Sequence, residues 1–138
     1  MEVNDLIGHY VSLNKSQNNI VEKSLEGLNS SAVEDFISIS DSSVHFVSDV
    51  LDITTKTLHK YLKENAKLTR TQSEKILKLI KLYEVGLEVF GNIKAFNEWL
   101  DKPSYGLNSL IPRDIITLST GIDLVQDELM RIAYGDFA

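Results

Sequence analysis

Residues 51–63 read LDITTKTLHKYLK. On a helix capped by Thr54, the residues Leu58, Tyr61 and Leu62 fall on one face, and Thr55, Lys56, His59, Lys60 and Lys63 fall on the other. Short hydroxyl side chains in the first turn, followed by a cation on each next turn, suit a helix that reads a duplex. The first turn reaches base edges, while cap amides and lysines hold phosphates. The preceding SVHFVSDVL puts Val44, Val47, Val50 and Leu51 on one face, and Asp52-Ile53 makes a short turn. The stretch therefore reads as a helix-turn-helix with Thr54, Thr55, Lys56, Thr57, His59, Lys60 and Lys63 as the DNA-contacting set. A plain helical hairpin would show the same inward leucines. The turn also carries Asp52, an acid near the docking surface, where glycine is usual.

Charge is unevenly distributed along the 138 residues, whose formal total is -6. Residues 1–55 hold nine acidic and two basic side chains, net -7; residues 56–81 hold eight basic and two acidic, net +6; residues 82–138 hold nine acidic and four basic, net -5. A basic block between two acidic ones suits a polyanion-binding surface on an otherwise acidic protein. A solvated, lysine-rich helix face would give the same count. With no cysteine there is no disulfide framework and no thiolate site, which fits a reducing compartment. No window approaches the roughly 18 apolar residues of a membrane span. The start, MEVNDLIGHY, lacks a basic segment followed by an apolar run, so it does not read as a signal peptide. These features indicate a soluble, cytoplasmic protein with no membrane association.

The apolar spacing is helical nearly throughout, and the fold class expected is all-α. Val33, Phe36 and Ile37 form a stripe over 30–39, with Ser30 or Ser31 as cap and Glu34 completing a capping box with Ser31. Thr69 and Gln72 form a second capping box ahead of a long helix that ends near Phe90. Ile76, Leu79, Ile80, Tyr83, Leu87 and Phe90 line one face of it, and Leu77, Leu82, Val85 and Val89 widen the stripe. A helix apolar on more than one side suits one shared by two domains or one packed on a partner copy, and a homodimer is expected. The domains expected are 1–70, helical with the helix-turn-helix, and 71–138, a second helical domain. Gly91 stops the long helix and Asn92 caps the next, where Ile93, Phe96, Trp99 and Leu100 face inward. Residues 101–109 form a loop, Pro112 opens a short helix, and the last helix starts around Thr120 with Asp123 as its third residue. Ile122, Val125, Leu129 and Ile132 are its stripe, and Gly135 ends it.

Catalytic chemistry is not indicated. His9, His45 and His59 lack metal-ligand spacing, the seven glycines form no phosphate loop, and pairs such as Asp49 and Asp52 or Asp123 and Asp127 read as solvated faces. Neither a metal nor a cofactor is expected, and the chain reads as a non-enzyme.

The second half carries an ordered set of short motifs: Phe90-Gly91, Trp99-Leu100, Pro103, Leu107, Pro112, Gly121, Val125, Leu129, Arg131-Ile132 and Gly135. This set resembles the toxin-binding domain of the Xre/MbcA/ParS antitoxins. The upstream stretch from Leu51 to Glu84 resembles the Xre-like part of the same proteins, so the likeness covers roughly residues 43–138. Residues 1–42 match less well, and no role is assigned to them. The resemblance implies an all-helical, often dimeric antitoxin. Such a protein neutralises a RES-domain toxin, one that consumes NAD or uses it for ADP-ribosylation, by laying its C-terminal helix and tail at the active-site mouth. Autorepression of the operon through operator DNA is the second implied activity. A repressor without a toxin partner is the alternative. The toxin-contacting set expected is Tyr105, Arg131, Tyr134, Gly135 and Phe137. Gly135 would turn the chain out of the helix, so that Phe137 and the terminal carboxylate could occupy places built for nicotinamide and phosphate. Two positions depart from the family pattern: Asn108-Ser109 stand where Gly-Gly is frequent, and Leu118 stands where threonine is frequent.

Overall fold

The structure is a computed structural model that describes residues 6–10 and 17–135. Its elements are α1 (Gln17–Glu26), α2 (Ser31–Ser40), α3 (Val44–Leu51), α4 (Thr55–Glu64), α5 (Arg70–Phe90), α6 (Ile93–Leu100), a 3-10 turn (Tyr105–Leu107), α7 (Pro112–Ile115) and α8 (Ser119–Tyr134). Residues 6–10 are also helical. The fold is all-α, and the described residues form no strand beyond the isolated bridge between Asn29 and Lys67. The chain divides into two compact units, residues 1–81 and 82–138, and the division lies inside α5.

In the first unit, α2 buries Val33, Phe36 and Ile39, while Ile37 is only half-buried. The capping box expected at Ser31 and Glu34 does not form. Ser30 is instead fully buried and donates its hydroxyl to the Tyr61 carbonyl at 3.0 Å, and the Asn29 side chain accepts from Ser31 N–H at 2.9 Å. A tertiary hydrogen bond took the residue that local pattern marked as a cap. Residues 27–30 and 65–68 run side by side: Leu68 N–H donates to Leu28 O at 2.8 Å and Ser30 N–H to Ala66 O at 2.9 Å. This pairing has no sequence signature, because two or three residues are too few to show a period.

Between α3 and α4, Asp52 adopts the left-handed conformation, φ 56 and ψ 45, that a glycine would take there at lower cost. Thr54 then caps α4, its hydroxyl accepting from Thr57 N–H at 3.1 Å. The Thr69–Gln72 capping box forms reciprocally: Gln72 N–H donates to Thr69 Oγ1 at 3.1 Å, and Thr69 N–H donates to Gln72 Oε1 at 3.0 Å. Gln72 also donates to Leu51 O, Lys75 donates to Val50 O, and Ser73 accepts from Leu28 N–H. These contacts tie the start of α5 to α1–α3. They are the physical reason the units divide after Lys81 and not before Thr71, where the sequence pattern placed the boundary. Ile76, Leu77, Leu79, Ile80, Leu82 and Tyr83 are at most 1% exposed within one chain. Further along α5, Leu87, Val89 and Phe90 stay half-buried.

In the second unit, Tyr83, Phe90, Phe96 and Trp99 form an aromatic cluster, Tyr83 edge-on to Phe96, with contacting ring centroids 4.9 to 6.1 Å apart. Asn92 caps α6, accepting from Ala95 N–H at 2.8 Å, and Pro112 opens α7. Arg113 crosses from α7 to α6. It donates to both Asp101 oxygens, to the Asn97 carbonyl oxygens and to the Tyr83 hydroxyl, and Tyr83 in turn donates to Asn97 Oδ1 at 2.6 Å. Burial alone would weaken its charge, but the bond to Asp101, with help from Tyr83, more than offsets this and holds the guanidinium protonated. α8 begins at Ser119 with Leu118 as the residue before it, so Asp123 lies beyond the first turn and not at its third position. A Cβ on Gly121 would meet the Ile115 carbonyl oxygen, so the approach of α7 to α8 requires glycine at this position.

Candidate functional site

The first candidate surface is the outer face of α4. Thr54, Thr55, Lys56, His59, Lys60 and Lys63 are exposed, and Thr57 is half-buried. Leu58 is completely buried, while Tyr61 and Leu62 are half-buried, which anchors the opposite face. Lys56, Lys60 and Lys63 follow at i, i+4 and i+7 and so share one side of the helix. The Thr54 hydroxyl donates to Thr57 Oγ1 at 3.0 Å, so these two hydroxyls are engaged with each other at the cap. The rest of the basic block is less uniform. Lys67 donates to Glu26 O, Lys75 to Val50 O, and Lys78 lies 3.9 Å from Glu74. Part of the +6 block thus serves the fold, and the coherent cationic row is the one on α4.

The second candidate surface lies in the C-terminal unit, where α8 meets the 3-10 turn. The loop before α7 closes on itself: Ser104 N–H donates to Leu110 O, while Leu107 N–H and Ser109 N–H donate to Ser104 O. This closure leaves Tyr105 97% exposed at the tip while Leu107 is buried beneath it. Asn108 and Ser109 both take positive φ, 55 and 63. These are the two positions where the resembled family favours glycine. α8 presents Arg131 and Tyr134, the latter 77% exposed, and Gly135 ends it in the left-handed conformation with its N–H on Arg131 O. Phe137 lies outside the described residues.

One residue joins the turn to the helix, and sequence reasoning passed over it. Glu128 is only 8% exposed, although it sits on the apolar side of α8 between Val125 and Leu129. Its Oε2 accepts from Arg131 Nε at 3.0 Å and from Nη2 at 2.7 Å. The same carboxylate lies against Gly106, where an added Cβ would strike both its oxygens. An acid on an apolar stripe was the available signal. A second was Leu124, which falls off the Ile122–Val125–Leu129 stripe and is exposed one turn before Glu128. Tyr105 and Arg131 are thus linked through Gly106 and Glu128, while Tyr134 and Gly135 lie one helical turn further on.

The described residues contain no group of histidines, cysteines or acids able to hold a metal ion, and no helix long and apolar enough to cross a membrane. The closed turn, the glycine-seated helix and the exposed Tyr105, Arg131 and Tyr134 side chains lie together in the second unit. Residues 86–135 match the family described as the antitoxin Xre/MbcA/ParS C-terminal toxin-binding domain. That match takes in 50 of the 138 residues, all of them in the second unit. A stretch of 83 residues is 26% identical to the protein named Antitoxin Xre from Pseudomonas putida, covering 60% of this chain and 52% of that protein. The chain thus spans about half the length of that curated relative. The fold is similar to a chain in the crystal structure of the M. tuberculosis MbcT–MbcA toxin–antitoxin complex, with a TM-score of 0.62, 18% identity, and coverage of 79% of this chain and 96% of that one.

Proposed function

We propose that this protein is an antitoxin that neutralises a RES-domain, NAD-directed toxin by covering its active site with the surface around Tyr105, Arg131 and Tyr134. It acts by binding rather than by catalysis. The observation that carries the proposal is the match of residues 86–135 to a toxin-binding domain, since that segment contains both the exposed turn and the arginine face. Exposed tyrosines and an arginine are residue types enriched at interface hot spots. Phe137 and the tail are included in the proposed contact set. The experiment is co-expression with a RES-domain toxin, followed by co-purification and a toxin assay of NAD consumption. The full chain is expected to abolish consumption. A chain lacking residues 134–138 should inhibit less well, and equal inhibition by the truncated form would place the plug at Tyr105 and Arg131 instead.

We further propose that α3 and α4 form a helix-turn-helix that binds operator DNA in the cytoplasm, with Thr54, Thr55, Lys56, Thr57, His59, Lys60 and Lys63 facing the duplex. Support comes from the lysine row on α4 and the hydroxyl-capped first turn. A repressor without a toxin is the competing reading, and the same co-purification separates the two.

A further inference from the structure

Among the described residues, Glu128 is an acid that the fold does not explain. A mostly buried carboxylate must be desolvated, and an apolar side chain of similar size at such a place usually serves stability as well or better. The neighbouring positions on the same face, Val125 and Leu129, are apolar and fully buried. Glu128 is also no ordinary surface pair with Arg131. Its side chain is 11% exposed against 45% for Arg131, and its carboxylate also packs against Gly106.

We propose that Glu128 is a positioning residue that sets Arg131 and the Tyr105–Leu107 turn in one fixed arrangement for the partner; this rests on the proposed antitoxin reading. Both bonds to Glu128 leave from Arg131 Nε and Nη2, the side-on edge of the guanidinium. Because the group is planar, the end-on edge, Nη1 with the second hydrogen of Nη2, then points away from the carboxylate. That edge is a two-donor fork suited to a carboxylate, phosphate or carbonyl pair on the toxin. The same carboxylate stops the turn from approaching α8 more closely, since it fills the space over Gly106. Fixing a long side chain before binding removes an ordering cost that would otherwise be met at the interface. Arg131 and Tyr105 therefore arrive as one preset surface, and Glu128 touches neither toxin nor ligand itself.

The test has two arms on the full-length chain. Without toxin, nitrogen-edited NMR of the Arg131 Nε–Hε group should show a slowly exchanging proton in the parent and fast exchange in Glu128→Gln. Equal exchange in both would overturn the proposal whatever the toxin does. With a RES-domain toxin, Glu128→Gln should weaken inhibition by roughly ten-fold, as Arg131→Ala does, and the double variant should be no weaker than Arg131→Ala alone, the signature of a residue acting through another. Additive losses would overturn it. Gly106→Ala leaves both charges in place and only displaces the carboxylate, so it should reproduce the loss if Glu128→Gln fails to fold; full inhibition by Gly106→Ala would count against positioning. Failure of the parent to inhibit any such toxin would sink the antitoxin reading, while the NMR arm would still decide the arrangement of Arg131.

Discussion

Ser109 and Gly121 show how differently single backbone positions load this fold. Ser109 holds φ 63 without the freedom of glycine, next to Asn108 at φ 55. Left-handed backbone costs an ordinary residue roughly 1–2 kcal/mol, while glycine costs the folded state about 0.5–1 kcal/mol through chain entropy. Ser109→Gly is therefore expected to stabilise the protein by about 0.5–1 kcal/mol, read as a rise in the urea midpoint at constant slope. Asn108→Gly should gain less, since asparagine tolerates this region better. Gly121 has the opposite sign. Alanine is a better helix former, but its Cβ would strike the Ile115 carbonyl, so α8 would have to move away from α7. A loss of about 2–3 kcal/mol is expected in the same denaturation experiment. A neutral Gly121→Ala would mean that the α7–α8 approach relaxes freely. The departure from Gly-Gly at 108–109 thus changes the energetics of the loop while its backbone keeps the torsions that glycine favours.

At the scale of elements, what the sequence made legible depended on whether a local pattern decided the outcome. The Thr69–Gln72 box, the Asn92 cap, Pro112 at the start of α7 and the Leu58 anchor are all local, and all are present. Ser30 failed as a cap because a carbonyl 31 residues away claimed its hydroxyl, and the pairing of 27–30 with 65–68 is wholly non-local. α8 starts at Ser119 with Leu118, not Thr120, in the cap position. At the candidate sites, the α4 face could be read from charge and spacing alone, whereas Glu128 could not, since its meaning depends on a glycine 22 residues earlier in the chain. The α4 face also gives a quantitative expectation. Each phosphate neutralised contributes about 0.9 to the slope of log affinity against log salt. Replacing Lys56, Lys60 and Lys63 with alanine should flatten that slope for operator DNA by about 3 and leave the helical circular dichroism unchanged. An unchanged slope would remove α4 from the DNA interface, and a comparable loss from Lys67→Ala and Lys75→Ala, whose amines are engaged internally, would point to bulk charge instead.

For the whole molecule, the position of the unit boundary inside α5 has a direct consequence. A cut at the start of the helix would be the natural choice from the sequence, because the Thr69–Gln72 box marks a clean beginning there. In the structure that cut removes Gln72, Ser73 and Lys75, which satisfy Leu51 O, Leu28 N–H and Val50 O. It also removes Ile76, Leu77, Leu79 and Ile80, four side chains buried to 1% exposure or less. Each buried aliphatic side chain is worth about 1.5–3 kcal/mol, and a whole domain is stable by only about 5–15 kcal/mol. Losing four of them removes about 6–12 kcal/mol, comparable with the whole stability of a small helical unit. A fragment of residues 1–70 is therefore expected to lack a cooperative melting transition, whereas residues 1–81 should retain one, with dispersed methyl resonances for Val33, Val47 and Val50. Equal folding of the two fragments would show that the first turns of α5 are an accessory to the N-terminal unit and that its core closes without them.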